Sequence, residues 1–245
     1  MFVYGLARGV NEGWLDRSYA QDALRGWSAV RRKVVSPPPP SDLAAIKLEL
    51  ERTFPLVWYR ITERTHPSCL YWSREGKYRF DSPAAKHGVC YAGSTITTSF
   101  QEIWSDRVRH KAPIDWVDFA SKDVWKIEIP QCAVLTLAGP TLTTIRASLQ
   151  CFTGSYKTSQ TWGAALMLHP AGIDALQYIG RRSGSHCLAF FGDLNRAKPY
   201  QASIAASRLG PLVQWQGFFP LRTQLRVRIS NLPTTRPSVT FVDCG

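Results

Sequence analysis

The sequence has 245 residues, of which 44% are hydrophobic and 20% charged, proportions typical of a folded protein rather than a disordered chain. Thirty Lys and Arg against 18 Asp and Glu give a formal net charge of +12, which favours anionic partners. The basic residues are scattered, and no zinc-finger, RNP or helix-turn-helix signature is present, so specific nucleic-acid binding is not expected. Without a signal peptide or about 20 consecutive apolar residues, we expect a cytoplasmic protein with no membrane partner.

The first 41 residues form a helical segment and a linker. Tyr19, Leu24 and Trp27 follow a roughly helical spacing in a segment too short to bury both faces alone. Four consecutive prolines within residues 36–41 lack amide donors and predict a stiff linker. Residues 1–30 resemble the last helical hairpin of unsaturated uronyl hydrolases, but they contain no pair of carboxylates across a sugar cleft. We therefore interpret residues 1–35 as a helical remnant without activity.

The next segment of the chain combines helical and extended patterns. Ser41-Asp42 is a candidate cap for a packing helix in which Leu43, Ile46, Leu50 and Phe54 share one face. Alternating, β-branched and aromatic residues predict strands near 56–61, 89–92, 124–129 and 133–137, and helices are predicted at 97–108 and 156–168.

The later elements are a hairpin and an edge strand. Residues 176–179 and 187–191 are predicted to pair around a turn at 180–185. Residues 225–229 alternate like a half-exposed edge strand. Strands and helices are interspersed without a regular βαβ rhythm, which favours an α+β fold with a mixed β-sheet core and flanking helices. The predicted main domain covers residues 42–200, and a basic C-terminal extension covers 201–245.

Cysteine and glycine patterns exclude several kinds of site. The six cysteines lie far apart with no C-x-x-C, and the histidines show no i, i+4 pairing, so we expect buried reduced thiols and no metal site. Neither a G-x-G-x-x-G turn nor a phosphate-binding P-loop is present. A bound nucleotide would therefore have to be recognised by side chains.

Several short motifs occur in one order. An R-F dipeptide at 79–80 is followed by G-V-C-Y at 88–91 and by a glutamate at 102, eleven residues after the tyrosine; D-A-L-Q-Y at 174–178 then leads to L-A-F-F at 188–191. In order and spacing, residues 54–193 resemble the RES family. The resemblance implies an ADP-ribosyltransferase-like fold and a toxin of a bacterial toxin–antitoxin pair that degrades NAD+, with NAD+ as substrate and no separate cofactor.

The resemblance also implies roles for individual residues. Arg79 would bind the NAD+ pyrophosphate, since a guanidinium makes bidentate bonds to phosphate oxygens. Tyr91 would lie against the nicotinamide ring. Glu102 would contact the ribose hydroxyls and stabilise the cationic charge that develops as the N-glycosidic bond breaks. Arg60 matches an early family arginine and is a candidate second phosphate or ribose contact.

The sequence departs from the family pattern after the later strand tyrosine. Two residues after Tyr178, the family serine is replaced by Gly180. Ser183 or Ser185 can supply a hydroxyl from the same turn, or Gly180 can let the ligand approach the backbone. We therefore include Gly180 and Ser183 among the candidate substrate-binding residues.

The function expected from the resemblance is cleavage of the nicotinamide bond of NAD+ by hydrolysis or phosphorolysis. Transfer of ADP-ribose to a protein requires the same NAD+-binding contacts and is an alternative. A catalytically weak module that binds NAD+ or docks a partner is a second alternative. The implied protein partner is an antitoxin, for which the charge of +12 favours an acidic surface.

Overall fold

A computed structural model describes residues 8–33, 36–52, 56–129, 131–181, 183–193 and 198–233. The chain divides into two compact units, residues 1–37 and residues 38–245. In the smaller unit, helix α1 (Tyr19–Lys33) follows a turn that contains Gly13, with φ of 74°. The Arg8 guanidinium lies 5.7 Å from the centre of the Trp14 ring. The helical spacing of Tyr19, Leu24 and Trp27 falls within α1, so the helix predicted there is confirmed.

Within the described part of the larger unit, strands form one eight-stranded sheet and one two-stranded sheet. The ten strands are β1 (Glu51–Arg52), β2 (Leu56–Glu63), β3 (His87–Gly93), β4 (Ile114–Asp115), β5 (Lys122–Ile129), β6 (Ala133–Thr136), β7 (Ala175–Ile179), β8 (His186–Asp193), β9 (Ala205–Pro211) and β10 (Ile229–Ser230). The large sheet has the order β1-β6-β7-β8-β3-β2-β5-β9, and β4 pairs with β10. Since β6 and β7 are parallel and the other described neighbours in this sheet antiparallel, the predicted mixed sheet is confirmed.

Helices accompany the sheet at intervals along the chain. They are α2 (Ile96–Arg109), α3 (Trp116–Ala120), α4 (Pro140–Thr144), α5 (Leu149–Thr153), α6 (Tyr156–Met167) and α7 (Phe218–Gln224), with short 3-10 helices at Leu43–Ala45, Pro199–Ser203 and Leu212–Gln214. The helices predicted at 97–108 and 156–168 are thus confirmed as α2 and α6. None of the helices in the described ranges is long and apolar enough to cross a membrane.

Hydrophobic side chains cover both faces of the large sheet. Phe190 and Phe191 are adjacent in β8, so their side chains point to opposite faces. Phe191 belongs to a cluster with Trp162 of α6, whereas Phe190 packs in a second cluster with Trp58 of β2. The strands that carry these side chains are therefore buried between two apolar layers.

The strands predicted near 56–61, 89–92, 124–129 and 133–137 are confirmed as β2, β3, β5 and β6, with bounds that differ by a few residues. The hairpin is also confirmed: β7 and β8 are antiparallel, and Ile179 pairs with His186 across the turn. The expectation of buried thiols is borne out for Cys69, Cys90, Cys132, Cys151 and Cys187, whereas Cys244 lies outside the described residues.

The helix predicted from Leu43 onward is wrong. Leu43–Ala45 is a single 3-10 turn, and Asp42 makes no side-chain cap. From Ile46 to Glu51 the side chains alternate between half-buried and exposed, the two-residue period of an extended chain. Ile46, Leu48 and Leu50 pack on the same cluster as Trp162. Their packing against the sheet overrides the helical spacing of the leucines.

The edge strand predicted at 225–229 is also wrong. The α7 helix extends to Gln224, and Arg226 then adopts a φ of 53°, which a strand does not allow. Only Ile229 and Ser230 form a strand, which pairs with Ile114 and Asp115. Val227, whose alternation suggested a strand, is instead buried in the cluster around Phe119.

An aromatic cluster fixes helix α2. Phe100 is fully buried, with ring-centroid separations of 4.6 Å from Trp104 and 5.8 Å from Phe119. Trp104 Nε1 also donates a 2.7 Å hydrogen bond to Asp118 Oδ2, which ties α2 to α3. Any side chain on the opposite face of α2 is therefore positioned by this cluster.

We predict that Phe100→Ala lowers the free energy of unfolding by about 3–5 kcal/mol, because it removes a fully buried aromatic ring and leaves a cavity in the cluster. Chemical denaturation measures the loss. Phe219→Ala is the matched control, since Phe219 is 37% exposed at the margin of the same region. Equal losses in the two variants would contradict the role of the cluster.

Candidate functional site

A cavity of about 420 Å³ opens between β3, α2, the loop before β3 and the start of α6. This volume lies within the usual range for small-ligand sites. Its charged and aromatic lining residues are Arg60, Tyr78, Arg79, Tyr91, Glu102, Asp106, Tyr156, Tyr178 and Arg181. Among the described residues, no group of three or more His, Cys, Asp or Glu side chains could hold a metal ion. The lining is suited to an anionic ligand that has an aromatic part.

Four of the six sequence-predicted site residues line this cavity: Arg60, Arg79, Tyr91 and Glu102. The close approach of β3 and α2 brings two of them, Tyr91 and Glu102, to the same cavity. A Cβ on Gly93 would overlap the Ser99 amide, so glycine at this position lets α2 begin directly against the strand. Ser99 Oγ then donates a 2.7 Å hydrogen bond to the Tyr59 carbonyl of β2.

The Arg79 guanidinium is fixed by the region between α5 and α6. Its Nη1 donates to the Phe152 carbonyl at 2.8 Å, and the Gly154 carbonyl lies at 3.5 Å. The same guanidinium lies 5.0 Å from the centre of the Tyr156 ring, a cation–π distance. These contacts place a permanent positive charge at the cavity wall.

The Tyr91 hydroxyl connects the central strand to the loop that contains Arg79. It accepts a 2.8 Å hydrogen bond from the Phe80 amide and donates a 3.0 Å bond to Asp81 Oδ1. The pKa of Tyr91 is raised well above its ordinary value, first by burial and then by the neighbouring Asp81 carboxylate. The hydroxyl therefore stays protonated, and both of its bonds serve the loop.

Asp81 is a buried residue that the sequence reasoning missed. Its Oδ2 accepts a 3.0 Å hydrogen bond from the Tyr78 amide, and its Oδ1 accepts from the Tyr91 hydroxyl, so Asp81 links the residue before Arg79 to strand β3. Burial raises the pKa of Asp81, and the bonds from Tyr78 and Tyr91 act in the opposite direction. The available signal was its place directly after the R-F dipeptide.

His87 belongs to the core beneath this loop. It is 1% exposed, with Nε2 3.2 Å from the Phe80 carbonyl and its ring edge-on to Phe191. Burial lowers the pKa of His87 below its ordinary value, which favours the neutral imidazole. This environment is that of a structural histidine.

Arg60 lines the cavity from strand β2. Its Nη1 donates a 3.1 Å hydrogen bond to the Tyr71 carbonyl and also contacts Cys90 Sγ. Burial raises the pKa of the Cys90 thiol despite the opposing charge of Arg60. Arg60 and Arg79 thus reach the cavity from different elements, each anchored by a backbone carbonyl.

Glu102 lies beside the turn that joins β7 and β8. Ser183 Oγ donates a 3.4 Å hydrogen bond to Glu102 Oε1. A Cβ added to Gly180 would overlap both Ser183 Oγ and Glu102 Oε1. Gly180 and Ser183 therefore lie next to the Glu102 carboxylate and are not among the residues that line the cavity.

A protein-family model described as the RES domain matches residues 57–210. The chain belongs to the RES domain family. This finding confirms the resemblance inferred from the motifs at residues 79–80, 88–91 and 102. The RES domain contains all six predicted site residues and extends beyond β8 into β9, the last strand of the sheet.

The fold of this RES protein is similar to that of a solved structure. A chain in the crystal structure of the M. tuberculosis MbcT–MbcA toxin–antitoxin complex aligns with a TM-score of 0.56 at 14% identity. The alignment covers 75% of this chain and 98% of that chain. A comparison with curated proteins finds no match. At this identity the likeness is evidence of a shared fold, with the mixed sheet and its helices.

We predict that Asp81→Asn lowers the free energy of unfolding of this RES protein by about 1–3 kcal/mol. An amide has one acceptor oxygen, so its NH₂ group would face either the Tyr78 amide or the Tyr91 hydroxyl. Urea denaturation measures the change. Asp42→Asn is the control, because Asp42 pairs with Arg146 on the surface and such pairs contribute at most about 1 kcal/mol. A loss no larger than that of the control would argue against the two-oxygen contact.

Proposed function

We propose that this RES protein cleaves the bond between nicotinamide and ribose in NAD+. The observation that carries the proposal is that Arg79, Tyr91 and Glu102, from a loop, a strand and a helix, line one cavity. Each supplies a different part of the required chemistry: a phosphate contact, an aromatic face and a carboxylate. Family membership supports assigning these roles to these residues.

The arginines account for recognition of the dinucleotide. Arg60, Arg79 and Arg181 place three guanidinium groups around the cavity, and a pyrophosphate carries two negative charges. Arg79 and Arg60 are anchored through Nη1, so both groups are preorganised for phosphate oxygens. We assign the pyrophosphate contact to Arg79, with Arg60 as the second phosphate or ribose contact.

Glu102 accounts for the chemical step. As the bond between C1′ and the nicotinamide nitrogen breaks, the bonding electrons leave with nicotinamide and positive charge develops on the ribose. A carboxylate beside that carbon stabilises the charge in the transition state. Water or phosphate then adds through oxygen to C1′, and water loses its proton to solvent. The hydroxyl of Tyr91 is bound to the loop, and this orients the ring. The ring lines the cavity and offers the nicotinamide an aromatic surface.

The biological role that fits this reaction is that of a cytoplasmic toxin, because loss of NAD+ arrests growth. The solved structure of similar fold comes from a toxin–antitoxin complex. We therefore infer that an antitoxin protein inhibits this chain. The net charge of +12 favours an inhibitor with an acidic surface.

We predict that the purified protein releases nicotinamide from NAD+ and that Glu102→Gln lowers kcat by about 100-fold or more, since it removes the charge that stabilises the transition state. Nicotinamide release is measured with and without phosphate, which separates phosphorolysis from hydrolysis. Glu75→Gln is the control, because Glu75 is an exposed residue paired with Lys77.

The same pair of variants tests the role in cells. Expression of the parent chain should arrest growth while cellular NAD+ falls, and expression of Glu102→Gln should do neither. Intact NAD+ at high protein concentration would rule out the proposed reaction.

We predict that Arg79→Lys raises KM for NAD+ by about ten-fold with a smaller effect on kcat, since an ammonium cannot make the bidentate phosphate contact. Steady-state kinetics measure both constants. Arg74→Lys is the matched control, because Arg74 is exposed and does not line the cavity. An unchanged KM in Arg79→Lys would show that Arg79 does not make the proposed contact with NAD+.

A further inference from the structure

The turn between β7 and β8 presents one hydroxyl to Glu102 in a fixed orientation. Ser183 Oγ accepts a 3.2 Å hydrogen bond from the Ser185 amide and lies 3.4 Å from Glu102 Oε1. A hydroxyl has one hydrogen and two lone pairs. Because an ionised carboxylate can only accept, the hydroxyl donates its hydrogen to Glu102 while a lone pair accepts from the Ser185 amide. Ser183 thus joins the backbone of the turn to the proposed catalytic group.

The closed turn keeps this hydroxyl in place. The Gly180 amide donates to the Ser185 carbonyl at 2.8 Å, and the Gly184 amide donates to the Gly180 carbonyl at 3.0 Å. Gly184 has a φ of 64°, which favours glycine and reverses the chain directly after Ser183. The position of Ser183 is therefore determined by backbone hydrogen bonds of the hairpin.

The absence of a side chain at Gly180 makes room for this arrangement. A Cβ there would overlap Ser183 Oγ and Glu102 Oε1 and would lie 3.0 Å from Cys187 Sγ. The space next to the carboxylate thus accommodates the hydroxyl of residue 183. A side chain on residue 180 would have to displace both this hydroxyl and the Glu102 carboxylate.

We propose that Ser183 is the positioning residue for Glu102 and supplies, from three residues further along the chain, the hydroxyl missing at Gly180. Ser183 acts on the carboxylate, and the carboxylate acts on the ribose. The hydrogen bond restricts the rotation of the Glu102 side chain, so that the carboxylate needs less reorganisation in the transition state. The catalytic consequence rests on the proposed NAD+ cleavage, whereas the contact between the two side chains does not.

The kinetic test compares Ser183→Ala with Ser183→Thr. If the hydrogen bond from Ser183 to the Glu102 carboxylate stabilises the transition state, Ser183→Ala should lower kcat about ten-fold and leave KM unchanged. Ser183→Thr retains the hydroxyl and should keep most of the activity. Ser203→Ala is the control, because Ser203 is exposed, does not line the cavity and donates its hydroxyl to the Tyr200 carbonyl. Unchanged kcat in Ser183→Ala would overturn the proposal.

A second pair of variants tests whether residues 180 and 183 compete for the same space beside Glu102. Gly180→Ser should lower activity in the parent chain, where its side chain collides with Ser183 and Glu102. In the Ser183→Ala background the same substitution should lower activity less, because the overlap with the Ser183 hydroxyl is gone and only the contacts with Glu102 and Cys187 remain. If Gly180→Ser lowers activity equally in both backgrounds, the proposal is wrong.

A thermal-unfolding cycle separates this inference from the proposed function. Tm is measured for the parent, Ser183→Ala, Glu102→Ala and the double variant. If the two side chains interact, the double variant loses less than the sum of the two single losses. Additive losses overturn the positioning role whether or not the protein consumes NAD+. A coupled cycle in a protein that leaves NAD+ intact would instead support the contact and refute only the proposed reaction.

Discussion

The site depends on the hydrogen bonds of one hydroxyl. The Tyr91 side chain leaves the middle of the sheet and binds the Phe80 amide and the Asp81 carboxylate, which lie directly after Arg79. Asp81 in turn binds the amide that precedes Arg79. A loop without regular secondary structure is thereby fixed to a central strand at both sides of the arginine. Rigid placement of a flexible, charged side chain requires this kind of support, because an unanchored arginine loses rotamer entropy when it binds.

The elements that could be predicted from the sequence are those whose pattern is local. The hairpin of β7 and β8 has two apolar runs and a Gly- and Ser-rich turn, and helices α2 and α6 have a sustained helical period. The segment after Leu43 contains two patterns at once. Leu43, Ile46 and Leu50 have the three- to four-residue spacing of a helix, and residues 46–50 alternate strictly between apolar and charged side chains. Only the sheet surface against which these side chains pack decides between them. At Val227 the alternation suggested a strand, although the residue is buried in a loop. Here too, tertiary packing decided the local structure.

The site residues were predictable because the resemblance to the RES family assigns roles to particular positions of the sequence. Arg60, Arg79, Tyr91 and Glu102 come from four segments, and the fold brings them to one cavity. The role of Asp81 was not predicted, because its place after the R-F dipeptide does not reveal its burial or its two hydrogen-bond donors. The contact of Ser183 with Glu102 spans 81 positions, and no local pattern encodes so distant a pair.

The strand order has a consequence for biosynthesis. Strand β3, which contains Tyr91, lies between β2 and β8, and β8 begins 95 positions after Tyr91 in the chain. A nascent polypeptide that ends before β8 lacks one complete neighbour of the strand on which the cavity is built. In the order of synthesis, β3 therefore lacks one neighbour until the residues of β8, up to Asp193, have been made. The cavity is completed only once that distant strand is available to pair.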